Sequence, residues 1–230
     1  MENPPPQHPD FTVERFGLER EPVVIIDNFL GETETLTAIA RQARYAPVDG
    51  FPGIRCRISS TYMAPRLETL RKVLAEVFDL PGGAKVESCH FSIVSKRPDE
   101  LSQGQRRPHY DASDPFLIAM LHYMGGEETG GTSFYRHRRT GLEAIHSEQE
   151  AEFLRAVTAD EEEFGQLPPR YFFGDDERYE MIGTVEAKRD RVVMYRGRIL
   201  HSGHIPMSPD PETALQNGRL TVNTFLVGQA

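Results

Sequence analysis

From Lys85 onward the sequence breaks into short β-branched or aromatic runs punctuated by Gly and Pro: Val86 to Val94, Phe116 to Met124, Thr132 to Tyr135, Thr184 to Ala187, Arg191 to Tyr195 and Arg219 to Val227. Alternating crossover helices, which a doubly wound parallel sheet requires, are missing between these runs. The pattern therefore predicts an antiparallel sandwich or jelly roll. Ahead of it, Pro22 to Asp27 and Arg55 to Met63 read as strands. Leu36, Ile39, Ala40 and Ala43 recur at helical spacing, as do Leu67, Leu70, Val73, Leu74, Val77 and Phe78, which Pro81-Gly82-Gly83 closes. The expected organisation is a proline-rich flexible arm over 1–21 and one domain over 22–230, mainly β with flanking helices. Within that domain 22–84 is mixed α/β and 85–228 is the β core. An insertion at about 140–180 interrupts the core, acidic from Glu148 to Glu163 and then marked by Pro168-Pro169.

A chain of 230 residues with 38% hydrophobic residues can bury one good core and is short for two. Its net charge of −9 argues against an electrostatic grip on nucleic acid, which needs clustered Lys and Arg. Two cysteines, Cys56 and Cys89, make no disulfide framework and fit a reducing compartment. No apolar run approaches the roughly 18 residues of a membrane span, and the N-terminus lacks a secretory pattern. The expectation is a soluble, cytoplasmic protein.

The spacing His-x-Asp/Glu occurs three times among eight histidines. His8-Pro9-Asp10 lies in the proline-rich terminus, which offers no rigid element to fix a ligand. His146-Ser147-Glu148 opens the acidic stretch and reads as a surface helix start with Ser147 as N-cap. His109-Tyr110-Asp111 directly precedes the apolar run Phe116 to Leu121, a buried strand, and so stands out by position. In extended chain residues two apart face the same way, so His109 and Asp111 supply two ligands to one metal. Arg191 to Tyr195, a tight turn at Gly197 and Ile199-Leu200-His201 would present a third, His201, from elsewhere in the sheet. Two imidazoles and one carboxylate hold non-haem Fe(II) while leaving positions open. His204 is the rival for the third place.

The same alternation puts Arg219, Thr221 and Asn223 on one face of the last strand, opposite Leu220, Val222 and Leu226. A guanidinium directed into a pocket calls for an anion such as a carboxylate. His90, inside a strand, reads as structural, and Arg136-His137-Arg138-Arg139 as a solvated hairpin end.

His-x-Asp at His109 and Asp111, the distal His201 and Arg-x-Thr at Arg219 and Thr221 stand in the order found in Fe(II)/2-oxoglutarate-dependent dioxygenases. The chain resembles most closely their prolyl-hydroxylase-like branch. Ile26-Asp27-Asn28-Phe29-Leu30 before a helix is similar to that branch's opening, and Leu121-His122-Tyr123-Met124 before Gly130-Gly131-Thr132-Ser133-Phe134 to its tyrosine strand and Gly-Gly-x-Thr turn. The resemblance covers most of 22–228 and implies a double-stranded β-helix with Fe(II) on His109, Asp111 and His201. It further implies 2-oxoglutarate on Arg219, Thr221 and Tyr123, and O2 as oxidant, with succinate and CO2 released. Hydroxylation is the default outcome it implies, and Asp111 argues for oxygenation over halogenation. Two features depart from the branch, the proline-rich Ile205 to Pro211 and the insertion between Arg139 and Tyr179. Substrate identity, small-molecule or peptidyl, does not carry over, nor does oligomeric state. A zinc hydrolase, using the same three ligands, and a non-catalytic jelly-roll binding module are the alternatives.

Overall fold

Apolar residues on alternate positions of two central strands decide how the layers stack. The computed structural model describes residues 11–206 and 209–229, with strands β1 (Thr12–Arg15), β2 (Pro22–Ile26), β3 (Ala46–Pro47), β4 (Gly53–Arg57), β5 (Ala84–Val94), β6 (Leu117–Tyr123), β7 (Thr132–His137), β8 (Tyr179–Val185), β9 (Arg191–Arg196), β10 (His201–Gly203) and β11 (Leu220–Gly228). Helices α1 (Glu34–Gln42) and α2 (Leu67–Glu76) precede the core, α3 (Glu150–Phe164) lies in the insertion, and α4 (Ala214–Asn217) precedes the last strand. The strands form two sheets, one ordered β1-β2-β9-β6-β11-β5-β4-β3 and the other β10-β7-β8. Every pairing between them is antiparallel. The fold is a jelly roll, as the strand-rich sequence predicts.

In β6 and β9, Ile118, Met120, Val192 and Met194 face one way and pack with Leu70, Val73, Leu74 and Phe78 of and after α2. Ala119, Tyr123, Val193 and Tyr195 face the other way and fill the space between the sheets with Phe134 and Val185. Strands covered on both faces need continuous apolar sequence, which explains the unbroken run from Leu117 to Leu121. On α2 the buried Leu70, Val73 and Leu74 form the i, i+3, i+4 stripe. Each side chain buried there contributes about 1.5–3 kcal/mol.

Three sequence expectations shift. Residues 1–10, with His8-Pro9-Asp10, lie outside the described residues, as do Met207 and Ser208. Residues 12–15 of the expected arm form β1, paired with β2 from Thr12↔Ile25 to Arg15↔Pro22, because Val13 packs onto the core. The strand expected from Arg55 to Met63 ends at Arg57, and Ser60–Arg66 is a 3-10 helix. The Ser59 hydroxyl accepts from Thr61 N there, a local alternative to the ladder. Finally, β8 begins at Tyr179 and ends at Val185, earlier than the Thr184 to Ala187 expected.

In the insertion, α3 buries Phe153, Ala156 and Val157 and packs with Tyr135, Phe172 and Tyr179 on the outer side of the smaller sheet. Ser147 does not cap it. A 3-10 turn, Ser147–Gln149, intervenes, and the Ser147 hydroxyl turns to Glu148. Among the described residues no helix is long and apolar enough to cross a membrane.

Candidate active site

The extended segment at His109 is tied to β10 by two reciprocal backbone bonds, His109 N to His201 O at 2.9 Å and His201 N to His109 O at 2.8 Å. A third bond, Asp111 N to Gly197 O at 2.7 Å, fixes the second ligand position. Gly197 leaves room for this approach, since a Cβ there would lie 2.8 Å from Leu117 Cδ2 and push that side chain aside. Alternation operates as expected. Tyr110 turns away, its hydroxyl donating to Glu150 at 3.1 Å and its ring against Phe153, while His109 and Asp111 face His201. Ligand atoms of the three side chains lie within 4.8 Å of one another.

His201 is buried and held in one tautomer. Its Nδ1 donates to Ile199 O at 2.8 Å, which leaves the Nε2 lone pair free, 3.8 Å from Asp111 Oδ2. Tyr195 packs edge-on to the ring with centroids 4.8 Å apart. Such an outer bond orients a metal-binding imidazole and raises its basicity. Burial pushes both His109 and His201 down to about 4, and the neighbouring His201 ring adds to the effect on His109. Burial also pushes Asp111 up to about 6, opposed by His109 and Arg55. Near neutral pH the cluster thus holds two neutral imidazoles and a carboxylate that opens to the cavity. That is the protonation state a divalent cation needs.

The cluster opens into a cavity of about 840 Å³. Arg219, just before β11, also lines it. One guanidinium nitrogen of Arg219 donates to Gly131 O at 3.0 Å, while Nε is buried without a partner. No carboxylate of the described residues pairs with it, and burial lowers its pKa, with Tyr123 partly opposing. The guanidinium sits 5.5 Å from the Tyr123 ring centroid. Gly130 and Gly131, whose carbonyl Arg219 bonds, sit in a turn that admits no larger residue. Gly130 has φ +73°, and a Cβ on Gly131 would come within 2.0 Å of Val185 O.

The structure brings Tyr123 and Thr221 to this end of the cavity but engages both hydroxyls internally. Tyr123 shares a 2.6 Å hydrogen bond with Thr132, and Thr221 donates to Asn223 at 2.6 Å. Thr132 and Asn223 are the members of each pair that line the cavity. His204 does not join the cluster; its ring stacks on Phe173 at 3.7 Å between centroids. His90 pairs across the ladders with Asn223 and Arg57, outside the metal-binding group. The basic run spans the end of β7 and the turn after it, where Arg138 and Arg139 are exposed as expected for a hairpin end, and its charges also have local partners. Arg136 bonds Glu143 and Glu180, His137 and Arg139 both bond Asp160, and Arg138 lies 3.6 Å from Asp175.

Sequence reasoning missed Arg55, which also lines the cavity. Its signal was present. Cys56 and Ile58 pack in the core behind β5, so alternation sends Arg55 to the opposite face. Tyr171, from the insertion, reaches the same cavity, its hydroxyl donating to Lys96 O at 2.7 Å.

A family profile described as a family of unknown function (DUF6445) matches residues 7–226, and the chain belongs to that family. No curated protein matches the sequence significantly. Among solved structures, HygX from Streptomyces hygroscopicus with nickel and 2-oxoglutarate bound aligns at 14% identity over 92% of this chain and 84% of its own, with a TM-score of 0.52. The epimerase SnoN from nogalamycin biosynthesis, described as non-heme and alpha-ketoglutarate-dependent, aligns at 14% over 91% and 80%, TM-score 0.49. A prolyl hydroxylase from Trichoplax adhaerens aligns at 10% over 90% and 83%, TM-score 0.46. At this identity the likeness to HygX establishes a shared fold.

Proposed function

We propose that this DUF6445 protein is an Fe(II)- and 2-oxoglutarate-dependent oxygenase that hydroxylates a C–H bond of a small-molecule or peptidyl substrate. One observation carries the reading: His109, Asp111 and His201 converge within 4.8 Å in the cavity that also holds Arg219, which has no acidic partner among the described residues. The nickel and 2-oxoglutarate of HygX, whose fold is shared, support the same pair of ligands here.

In this reading His109, Asp111 and His201 hold the metal on one side and leave the cavity side open. Arg219 binds the far carboxylate of 2-oxoglutarate, with Thr132 and Asn223 offering further hydrogen bonds and Tyr123 and Thr221 fixing their orientation. Tyr195 packs against His201 and feels the charges of both Asp111 and Arg219, so it joins the two halves of the site. When bound, iron with 2-oxoglutarate and O2 supplies the oxidising equivalent, and succinate and CO2 are the co-products. The chain contributes ligand geometry, exclusion of water and positioning of the substrate C–H bond.

A zinc hydrolase would use the same three ligands but would give Arg219 no task. Incubation with Fe(II), 2-oxoglutarate and O2 should release succinate even without primary substrate, at a slow uncoupled rate. Hydrolysis of an ester or peptide with zinc loaded, and no succinate with iron, would favour the hydrolase.

A further inference from the structure

Arg219 is one of two cations in the cavity. Arg55, on β4, has Phe51 beneath its guanidinium, 4.1 Å from carbon to ring centroid. Its guanidinium makes no hydrogen bond or ion pair with any described residue, and its Nε is buried without a partner. Directly opposite on β5 is Ser92, fully buried, whose hydroxyl also has no partner. Directly opposite residues share a face, so an unpaired guanidinium and an unpaired hydroxyl stand side by side. Desolvation lowers the Arg55 pKa, and the acid that opposes this is Asp111. That compensation is withdrawn once Asp111 ligates a cation, since its negative charge is then shared with the metal.

We propose that Arg55, assisted by Ser92 and braced on Phe51, is the recognition point for an anionic group, a carboxylate or phosphate, on the primary substrate. The inference rests on the oxygenase reading, in which Arg219 is occupied by the co-substrate. The row Arg55, Ser92, Thr221, Tyr123 runs across adjacent strands of the large sheet. Two strand spacings therefore separate β4 from β11, roughly 10 Å, so the two arginines enter the cavity from different strands of its wall. A guanidinium with one face stacked keeps its edge donors free for a bidentate anion. Gln105 and Tyr171 line the cavity as well and would bear on the rest of the substrate.

The test uses the full chain loaded with Zn(II) and 2-oxoglutarate, first confirming by calorimetry that both bind. Benzoate and benzamide, alike in shape but not in charge, are then titrated by ligand-observed NMR. Wild type should prefer benzoate by about tenfold or more, Arg55→Gln should lose the preference, and its 2-oxoglutarate affinity should stay within about twofold. Arg55→Lys, which keeps the charge, should retain a preference and controls for misfolding. No preference in folded wild type, or a preference surviving in Arg55→Gln, overturns the proposal. So does a tenfold loss of 2-oxoglutarate affinity in Arg55→Gln, which would give Arg55 to the co-substrate. Failure of wild type to bind 2-oxoglutarate at all instead overturns the oxygenase reading.

Discussion

His201 Nδ1 donates a 2.8 Å hydrogen bond to the carbonyl oxygen of Ile199, two residues earlier in the same chain. That bond links the turn at Gly197 to metal chemistry, because it decides which imidazole nitrogen faces Asp111 and His109. The nitrogen that a cation would use is thus presented by backbone geometry.

Asp111→Ala should abolish succinate formation while leaving the fold intact, since the side chain opens to the cavity and has no structural hydrogen bond. Removing a direct ligand should weaken Ni(II) binding beyond the ~10–100-fold typical of outer partners. Calorimetry with Ni(II), alongside circular dichroism for the fold, checks both halves. Wild-type succinate release by the purified variant in added iron would refute the ligand role.

Asp111 also predicts a pH effect on the metal-free protein. Its folded pKa, about 6, lies above the ordinary 3.8. The associated stability is therefore fully present below about pH 4 and lost as pH rises through 6. In chelator, Asp111→Asn should melt above wild type at pH 8, with the difference closing toward pH 4. Adding metal should reverse the order at pH 8, because only wild type retains the full ligand set. Thermal melts across pH, with and without metal, measure this; a difference independent of pH would contradict it.

Arg219→Ala should raise the KM for 2-oxoglutarate by about 30–100-fold, corresponding to about 2–3 kcal/mol for a charge-assisted contact. Metal affinity should be unaltered. An unchanged KM would mean that the co-substrate's far carboxylate is held elsewhere.

Asp190 gives a prediction remote from the cavity. Its carboxylate accepts from His122 Nε2 at 2.9 Å, Leu30 N at 3.0 Å and Gly31 N at 2.7 Å, tying the loop after β2 to the sheet. Its φ of 63° is one that Asn also tolerates. Asp190→Asn therefore removes charge without adding backbone strain. It should cost about 2 kcal/mol, lowering Tm by about 4–8 °C for a chain of this size. Metal and 2-oxoglutarate affinities should be unaffected, as isothermal titration would establish.

Much of this was legible because it depends on short-range periodicity. The continuous apolar run from Phe116 to Leu121 marked a buried strand, and the two-residue spacing of His109 and Asp111 put them on one side. What escaped depends on partners distant in sequence. Arg55 alternates with the apolar Cys56 and Ile58, but only the pairing of β4 with β5 shows that its face is the cavity wall. Tyr123 and Thr221 were expected to reach the co-substrate directly, yet their hydroxyls bond Thr132 and Asn223, the members of each pair that line the cavity; the Tyr123–Thr132 bond joins the two sheets and is invisible in sequence. Thr12 to Arg15 looked like an arm because its ladder partner, β2, is needed to make it a strand.

The most direct measurement is an anaerobic titration of metal-free protein with Fe(II) and 2-oxoglutarate, following the weak visible charge-transfer band of the chelate, in wild type and in His201→Ala. A band should saturate in wild type and be absent from the folded variant. A well-folded wild-type protein that gives no band, or a variant that keeps it, would contradict the assignment of this cavity to iron and 2-oxoglutarate.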